Sequence, residues 1–220
     1  MFLPVTCPVC GARGAAPCAG CAAQLRRAPA LPDPPAVDSC AALLAYEGVG
    51  RELVARLKYR NARASLPVLA RAMAALADRD TVGAVTWVPT TAGRRRARGF
   101  DQARLLARAV AADLRLPCPG LLLRHPGPAQ TGRAVEARRA GPSFDAIGPV
   151  PARVLLVDDV VTTGATVAAA ARALRAAGAE QVHVLAAART PPRRAGIHSG
   201  MAGRGSVVES RGQPQAKRPT

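Results

Sequence analysis

Two adjacent carboxylates, Asp158 and Asp159, close the apolar run Val154-Leu155-Leu156-Val157, and Val160-Val161-Thr162-Thr163-Gly164-Ala165-Thr166 follows directly. These residue types divide a chemical task between them. Free backbone N–H groups where a loop enters a helix favour an anion, and the helix dipole adds to that preference. Gly164 permits a tight turn and close backbone approach, and Thr hydroxyls donate to phosphate oxygens. Carboxylates beside such a cradle repel a phosphate aimed at them. They are better suited to accept hydrogen bonds from vicinal hydroxyls, or to help hold a hydrated Mg2+. A ribose 5-phosphate satisfies both demands. The simpler alternative is an ordinary strand end, with Asp159 or Thr162 capping the next helix.

A second constellation lies near the start. Cys7-Pro8-Val9-Cys10 and Cys18-Ala19-Gly20-Cys21 are two Cys-x-x-Cys pairs separated by seven residues. Four thiolates so arranged can enclose a tetrahedral Zn2+, and with all four positions filled the metal would be structural. Gly11, Gly14 and Gly20 suit the sharp turns around each pair. A redox motif expects a strand before it and a helix after it, and neither is evident. Paired disulfides suit a secreted chain, whereas Met1-Phe2-Leu3-Pro4 lacks the basic region and long apolar core of a secretory signal. Cys40 and Cys118 sit in apolar surroundings and read as small core hydrophobes. His125, His183 and His198 show no metal-ligand spacing, and no catalytic role is assigned to them.

Positioning these residues requires alternating strands and helices. The β-branched run before Asp158 suits a strand over 153–157 buried on both faces, and the Ala-rich run after Gly164 predicts a helix over 165–177. Ligands of such sheets sit beyond the carboxyl ends of the strands, where Asp158 and Asp159 fall. Further strands are predicted over 39–46, 82–88, 121–123 and 181–187, and helices over 50–59, 66–77 and 100–113. The expected organisation is a cysteine knuckle over 1–27, a Pro-rich linker over 28–37, an α/β domain over 38–190, and a disordered basic tail over 191–220.

The 220 residues carry a formal charge of +17, almost all of it from arginine, with Lys58 and Lys217 the only lysines. That charge favours anionic partners. Single-strand readers add stacking aromatics, but Phe2, Tyr46, Tyr59, Trp87, Phe100 and Phe144 form no cluster in sequence. The charge therefore supports backbone attraction without base reading. No run is long and apolar enough to cross a bilayer, so the expectation is a cytoplasmic chain without membrane insertion.

The 154–166 stretch resembles the phosphoribosyl pyrophosphate (PRPP) signature of type I phosphoribosyltransferases. The resemblance implies that Asp158 and Asp159 hold the ribose 2- and 3-hydroxyls as the catalytic pair. It implies that Val160, Val161, Thr162, Thr163, Gly164, Ala165 and Thr166 wrap the 5-phosphate. A second loop of that family binds pyrophosphate through its backbone, and Pro89, Thr90 and Thr91 match it here. Arg94, Arg95, Arg96 and Arg98 are placed to neutralise the leaving group, because guanidinium suits phosphate geometry. Gln130, Arg138 and Arg139 fall on the segment that in the family folds over bound PRPP. Ala140-Gly141-Pro142-Ser143-Phe144 departs from the family pattern there.

A four-cysteine knuckle ahead of such a domain resembles the ComF family, associated with late competence and DNA uptake. Further matching pieces are Tyr46-Glu47-Gly48, Leu57-Lys58-Tyr59, Trp87-Val88-Pro89-Thr90-Thr91 and the run from Arg94 to Ala103. The likeness implies an α/β fold with a type I phosphoribosyltransferase-like parallel sheet flanked by helices, a structural Zn2+, and Mg2+ accompanying PRPP. The implied activity is transfer of phosphoribose to a nitrogen nucleophile with release of pyrophosphate. An alternative of another class is a non-catalytic PRPP or nucleotide sensor that binds single-stranded DNA or a competence helicase during DNA import.

Overall fold

The computed structural model describes residues 5–57, 64–126 and 142–192. Four parallel strands form the central sheet in the order β1-β6-β5-β2, where β1 is Ser39–Ala45, β2 Ala84–Trp87, β5 Arg153–Val161 and β6 Gln181–Arg189. Strands β3 (Leu122–Arg124) and β4 (Phe144–Ala146) pair antiparallel as a separate small sheet.

The apolar run of β5 is buried on both faces, as its composition predicts. Leu155 and Val157 face one layer, with Leu53 and Val54 of α2 (Gly48–Arg56), Leu69 and Met73 of α3 (Leu66–Ala74), and Leu106 and Val110 of α5 (Gln102–Leu114). Val154 and Leu156 face the other, with Val167, Ala170 and Leu174 of α6 (Ala165–Ala176). Period-two alternation along one strand thus feeds two cores. Helix α5 keeps Ala103, Leu106, Ala107, Val110, Ala111 and Leu114 on its buried face, the spacing of an amphipathic helix. The small β3–β4 sheet packs on α6.

Several boundaries differ from the sequence expectation. Strand β5 runs on from Val157 to Val161, because its ladder with β6 continues through Val160↔Ala188 and Val161↔Arg189. On its other side, pairing with β2 stops at Trp87↔Val157. The chain then leaves the sheet at Pro89, which has no N–H to extend a ladder. Asp158 and the residues after it therefore pair on one side and face a gap on the other. Helix α5 starts at Gln102 instead of Phe100, since Asp101 caps it by accepting from the Arg104 N–H at 3.4 Å. Helix α3 ends at Ala74, short of the expected 77. The arginine cluster lies on an unforeseen helix, α4 (Ala92–Arg98), which the Thr91 side chain caps and Gly99 ends at φ 77°. The expected helix end at Lys58 and Tyr59 lies outside the described residues. So do Gln130, Arg138, Arg139, His198 and the tail from 193 onward.

The N-terminal segment includes the short α1 (Ala19–Ala22) and joins the sheet edge through an Arg27↔Leu44 bridge. The Pro-rich stretch after it lies against the domain. Buried Arg189 donates to the Leu31 carbonyl at 3.2 Å and the Pro32 carbonyl at 2.6 Å. The Cys40 N–H donates to the Asp33 carboxylate at 2.7 Å.

Candidate functional site

The gap between β2 and the end of β5 is a cleft of about 320 Å³. Asp158 and Asp159 reach it from β5, and Thr162 and Thr166 from the turn into α6. Pro89 and Thr90 come from the loop after β2, and Arg94 and Arg98 from α4. Val160 also lines it. The two motifs recognised in the sequence, 73 residues apart at Pro89 and Thr162, thus share one cavity.

Other residues singled out in the sequence serve the walls. Val161 is buried in the core beneath α6, so its side chain does not reach the cleft. Thr91 caps α4 through the Arg94 N–H, and the Thr163 hydroxyl accepts from the Ala165 N–H at 3.4 Å. Gly164 caps α6 at φ 79°, a left-handed conformation that suits glycine. A Cβ there would lie 2.8 Å from Pro34 Cγ, so the Pro-rich stretch closes over the back of this turn.

Sequence reasoning missed Arg124 and the cleft-facing roles of Tyr46 and Asp101. Asp101 Oδ2 accepts from the Thr90 N–H at 2.9 Å while its other oxygen caps α5. The Thr90 amide is thereby committed to the protein. Arg98 donates to Gln102 Oε1 at 2.9 Å. Arg124 reaches in from β3 and donates to the Pro89 carbonyl at 3.4 Å.

The cleft is lined by both carboxylates and guanidinium groups. Burial, followed by repulsion from Asp159, raises Asp158 well above the ordinary carboxylate range, although the Asp159 N–H donates to it at 2.8 Å. Burial also raises Asp101, against the pull of the Thr90 and Arg104 N–H groups, and Asp159 adds to the rise. Hydrogen-bond donors or a hard cation placed between these carboxylates would relieve both strains. The guanidinium groups of Arg94, Arg98 and Arg124 line the same cavity and would attract an anion. The arrangement can therefore grip a molecule with hydroxyls at one end and phosphates at the other.

The ligand atoms of Cys7, Cys10, Cys18 and Cys21 all lie within 4.8 Å of one another, and Cys10 and Cys18 sulfurs are 3.6 Å apart. Tetrahedral coordination with metal–sulfur distances of about 2.3 Å puts sulfurs roughly 3.8 Å apart, so the cluster fits a metal such as zinc. Burial alone would raise the Cys7 thiol, but the N–H groups of Cys18, Cys10 and Val9 outweigh it and bring it to about 6. Burial and hydrogen bonds from the neighbouring thiols push Cys21 up to about 12. Four adjacent sulfurs cannot all ionise without a cation to share.

Residues 102–199 match the family model described as the phosphoribosyl transferase domain. With the parallel sheet and flanking helices, this assigns the chain an α/β phosphoribosyltransferase fold preceded by a four-cysteine cluster. Among solved structures, the chain is similar to the allosteric regulatory enzyme of purine biosynthesis, with 23% identity and a TM-score of 0.42 over 58% of this chain and 26% of that one. It is also similar to glutamine PRPP amidotransferase from B. subtilis complexed with ADP and GMP (24% identity, TM-score 0.41, 56% of this chain and 26% of that one). A hypothetical protein from Neisseria gonorrhoeae with bound ppGpp shares 12% identity at a TM-score of 0.38, over 57% of this chain and 78% of that one. The chain spans about a quarter of the length of the first two. No curated protein matches it.

Proposed function

We propose that this chain binds PRPP with Mg2+ and transfers its phosphoribosyl group to a nitrogen nucleophile, releasing pyrophosphate. One observation carries this: Asp158 and Asp159 share a single cleft with the turn into α6 and with the arginine wall beside Pro89 and Thr90.

In this assignment Asp158 and Asp159 accept hydrogen bonds from the ribose 2- and 3-hydroxyls. The N–H groups where the chain enters α6, with the hydroxyls of Thr162 and Thr166, hold the 5-phosphate. The loop 89–91 and Arg94 and Arg98 receive the pyrophosphate. As the bond to pyrophosphate breaks, positive charge grows on the sugar and negative charge on the departing group. The carboxylates sit near the first charge and the guanidinium groups near the second, so both are met by fixed partners. Mg2+ would partly neutralise the pyrophosphate when bound. The cysteine cluster would hold a structural Zn2+.

The test is pyrophosphate release from PRPP and Mg2+ with a panel of nitrogen acceptors. Release is expected, and it should vanish in Asp158→Ala/Asp159→Ala. Release that persists in that variant would contradict the assignment.

A second reading draws on the formal charge of +17. On it, PRPP or a nucleotide is a bound signal, and the basic chain associates with single-stranded DNA or a helicase-type partner. The likeness to the ComF family supports a setting in DNA uptake for either reading. PRPP binding without turnover, together with DNA binding that weakens steeply with salt, would select this second reading.

A further inference from the structure

The small β3–β4 sheet brings into the cleft a guanidinium that no motif announces. Arg124 is the last residue of β3 and pairs in register with Phe144 of β4. Its guanidinium lies over the Phe144 ring, 5.4 Å from the centroid, and donates to the Pro89 carbonyl at 3.4 Å. The ring and the carbonyl together hold the side chain in place. Among the described residues that is its one hydrogen bond, which leaves most of its five N–H donors for a ligand.

The surroundings indicate what that is. Arg94, Arg98 and Arg124 line the same cavity, and among the described residues none of them forms an ion pair with a carboxylate. Burial, followed by repulsion from Arg94, holds Arg124 below the usual arginine range, while Asp158 and Asp101 oppose that shift. Arginine stays charged regardless. Three like charges in one cleft call for a polyvalent anion. Because Arg124 donates to the Pro89 carbonyl, it stands beside the loop assigned to pyrophosphate.

We propose that Arg124 grips the pyrophosphate end of the bound substrate together with Arg94 and Arg98, presented by stacking on Phe144. This rests on the PRPP assignment above and adds to it a contact from a separate structural element. Arginine is specified over lysine because only a planar fork can stack on the ring and still present paired donors to phosphate.

The experiment is calorimetric titration of the full chain with inorganic pyrophosphate plus Mg2+, and separately with ribose 5-phosphate. Arg124→Ala should weaken pyrophosphate binding by roughly tenfold or more and leave ribose 5-phosphate within about twofold, the scale expected for lost charge-assisted hydrogen bonds at one end only. Arg124→Lys should also weaken pyrophosphate, by less. Retained ribose 5-phosphate binding shows that the variants are folded. Unchanged pyrophosphate binding in Arg124→Ala would overturn the role of Arg124 and leave the PRPP assignment standing. Equal loss of both ligands would make Arg124 structural and overturn it too. A wild-type chain that binds neither ligand would overturn both proposals.

Discussion

Asp101 and Thr90 are joined by a hydrogen bond of 2.9 Å from the Thr90 N–H to the Asp101 carboxylate, which also caps α5. One side chain therefore fixes both the loop after β2 and the start of the helix packed beneath it. Asp101→Ala removes the cap and leaves the Thr90 amide unpaired, so it should cost about 1–3 kcal/mol in urea unfolding. Asp101→Asn keeps one carbonyl oxygen and can serve only one of the two donors, so it should lose less. Equal stability of the wild type and Asp101→Ala would contradict this linkage.

The strain on Asp158 has a sign in pH. Its folded value is raised well above the ordinary 3.8, so the folded chain holds a proton that the unfolded chain has released. Stability conferred by the protonated group is full below about pH 4 and is lost as pH rises through the raised value. Asp158→Asn is neutral throughout. Its melting temperature should gain on the wild type from about pH 4 upward, even as ribose 5-phosphate binding is lost. Scanning calorimetry across pH checks this, and a difference that stays flat would contradict it.

Much of this architecture is legible in the chain, and what escapes does so for definable reasons. The β5 run announces itself because burial on both faces demands unbroken apolar residues. The carboxylates and the Thr/Gly turn stand out because their types are costly at a strand end without a task. Strand β5 overran its expected end because paired aspartates resemble a turn, whereas the ladder to β6 holds them in extended backbone. Helix α4 has no apolar stripe and no buried residue to signal it, and only its Thr91 cap and Gly99 stop mark it. Arg124 and the Asp101–Thr90 link depend on contacts across 35 and 11 residues. Strand β4, three residues long, is too short to show alternation, whereas the strand expected over 121–123 falls one residue before β3.

Gly164 is constrained from two directions. Its φ of 79° disfavours any side chain, and Pro34 occupies the space a Cβ would need. Gly164→Ala should destabilise by about 1–3 kcal/mol and weaken ribose 5-phosphate binding. Adding Pro34→Ala should recover only the share due to the clash. Full recovery in the double variant, measured by urea unfolding, would show that the backbone conformation carries no cost.

The cysteine cluster predicts a composition and a local stability. Purified protein should contain about one zinc per chain, and Cys21→Ser should lose it. Chelation should expose residues 5–27 to proteolysis while leaving the phosphoribosyltransferase domain folded. Mass spectrometry of a limited digest reads both effects. Metal analysis finding no zinc in protein purified without chelator would remove the metal from the account.

The central claim is tested most directly by titrating PRPP with Mg2+ into the wild type and into Asp158→Asn/Asp159→Asn. The wild type should bind. The double variant should lose about a hundredfold or more in affinity, since each amide keeps one acceptor oxygen but loses the carboxylate charge and the second oxygen, yet it should melt no earlier than the wild type at neutral pH. Equal affinity in the two proteins would contradict the assignment of this cleft to a phosphorylated sugar.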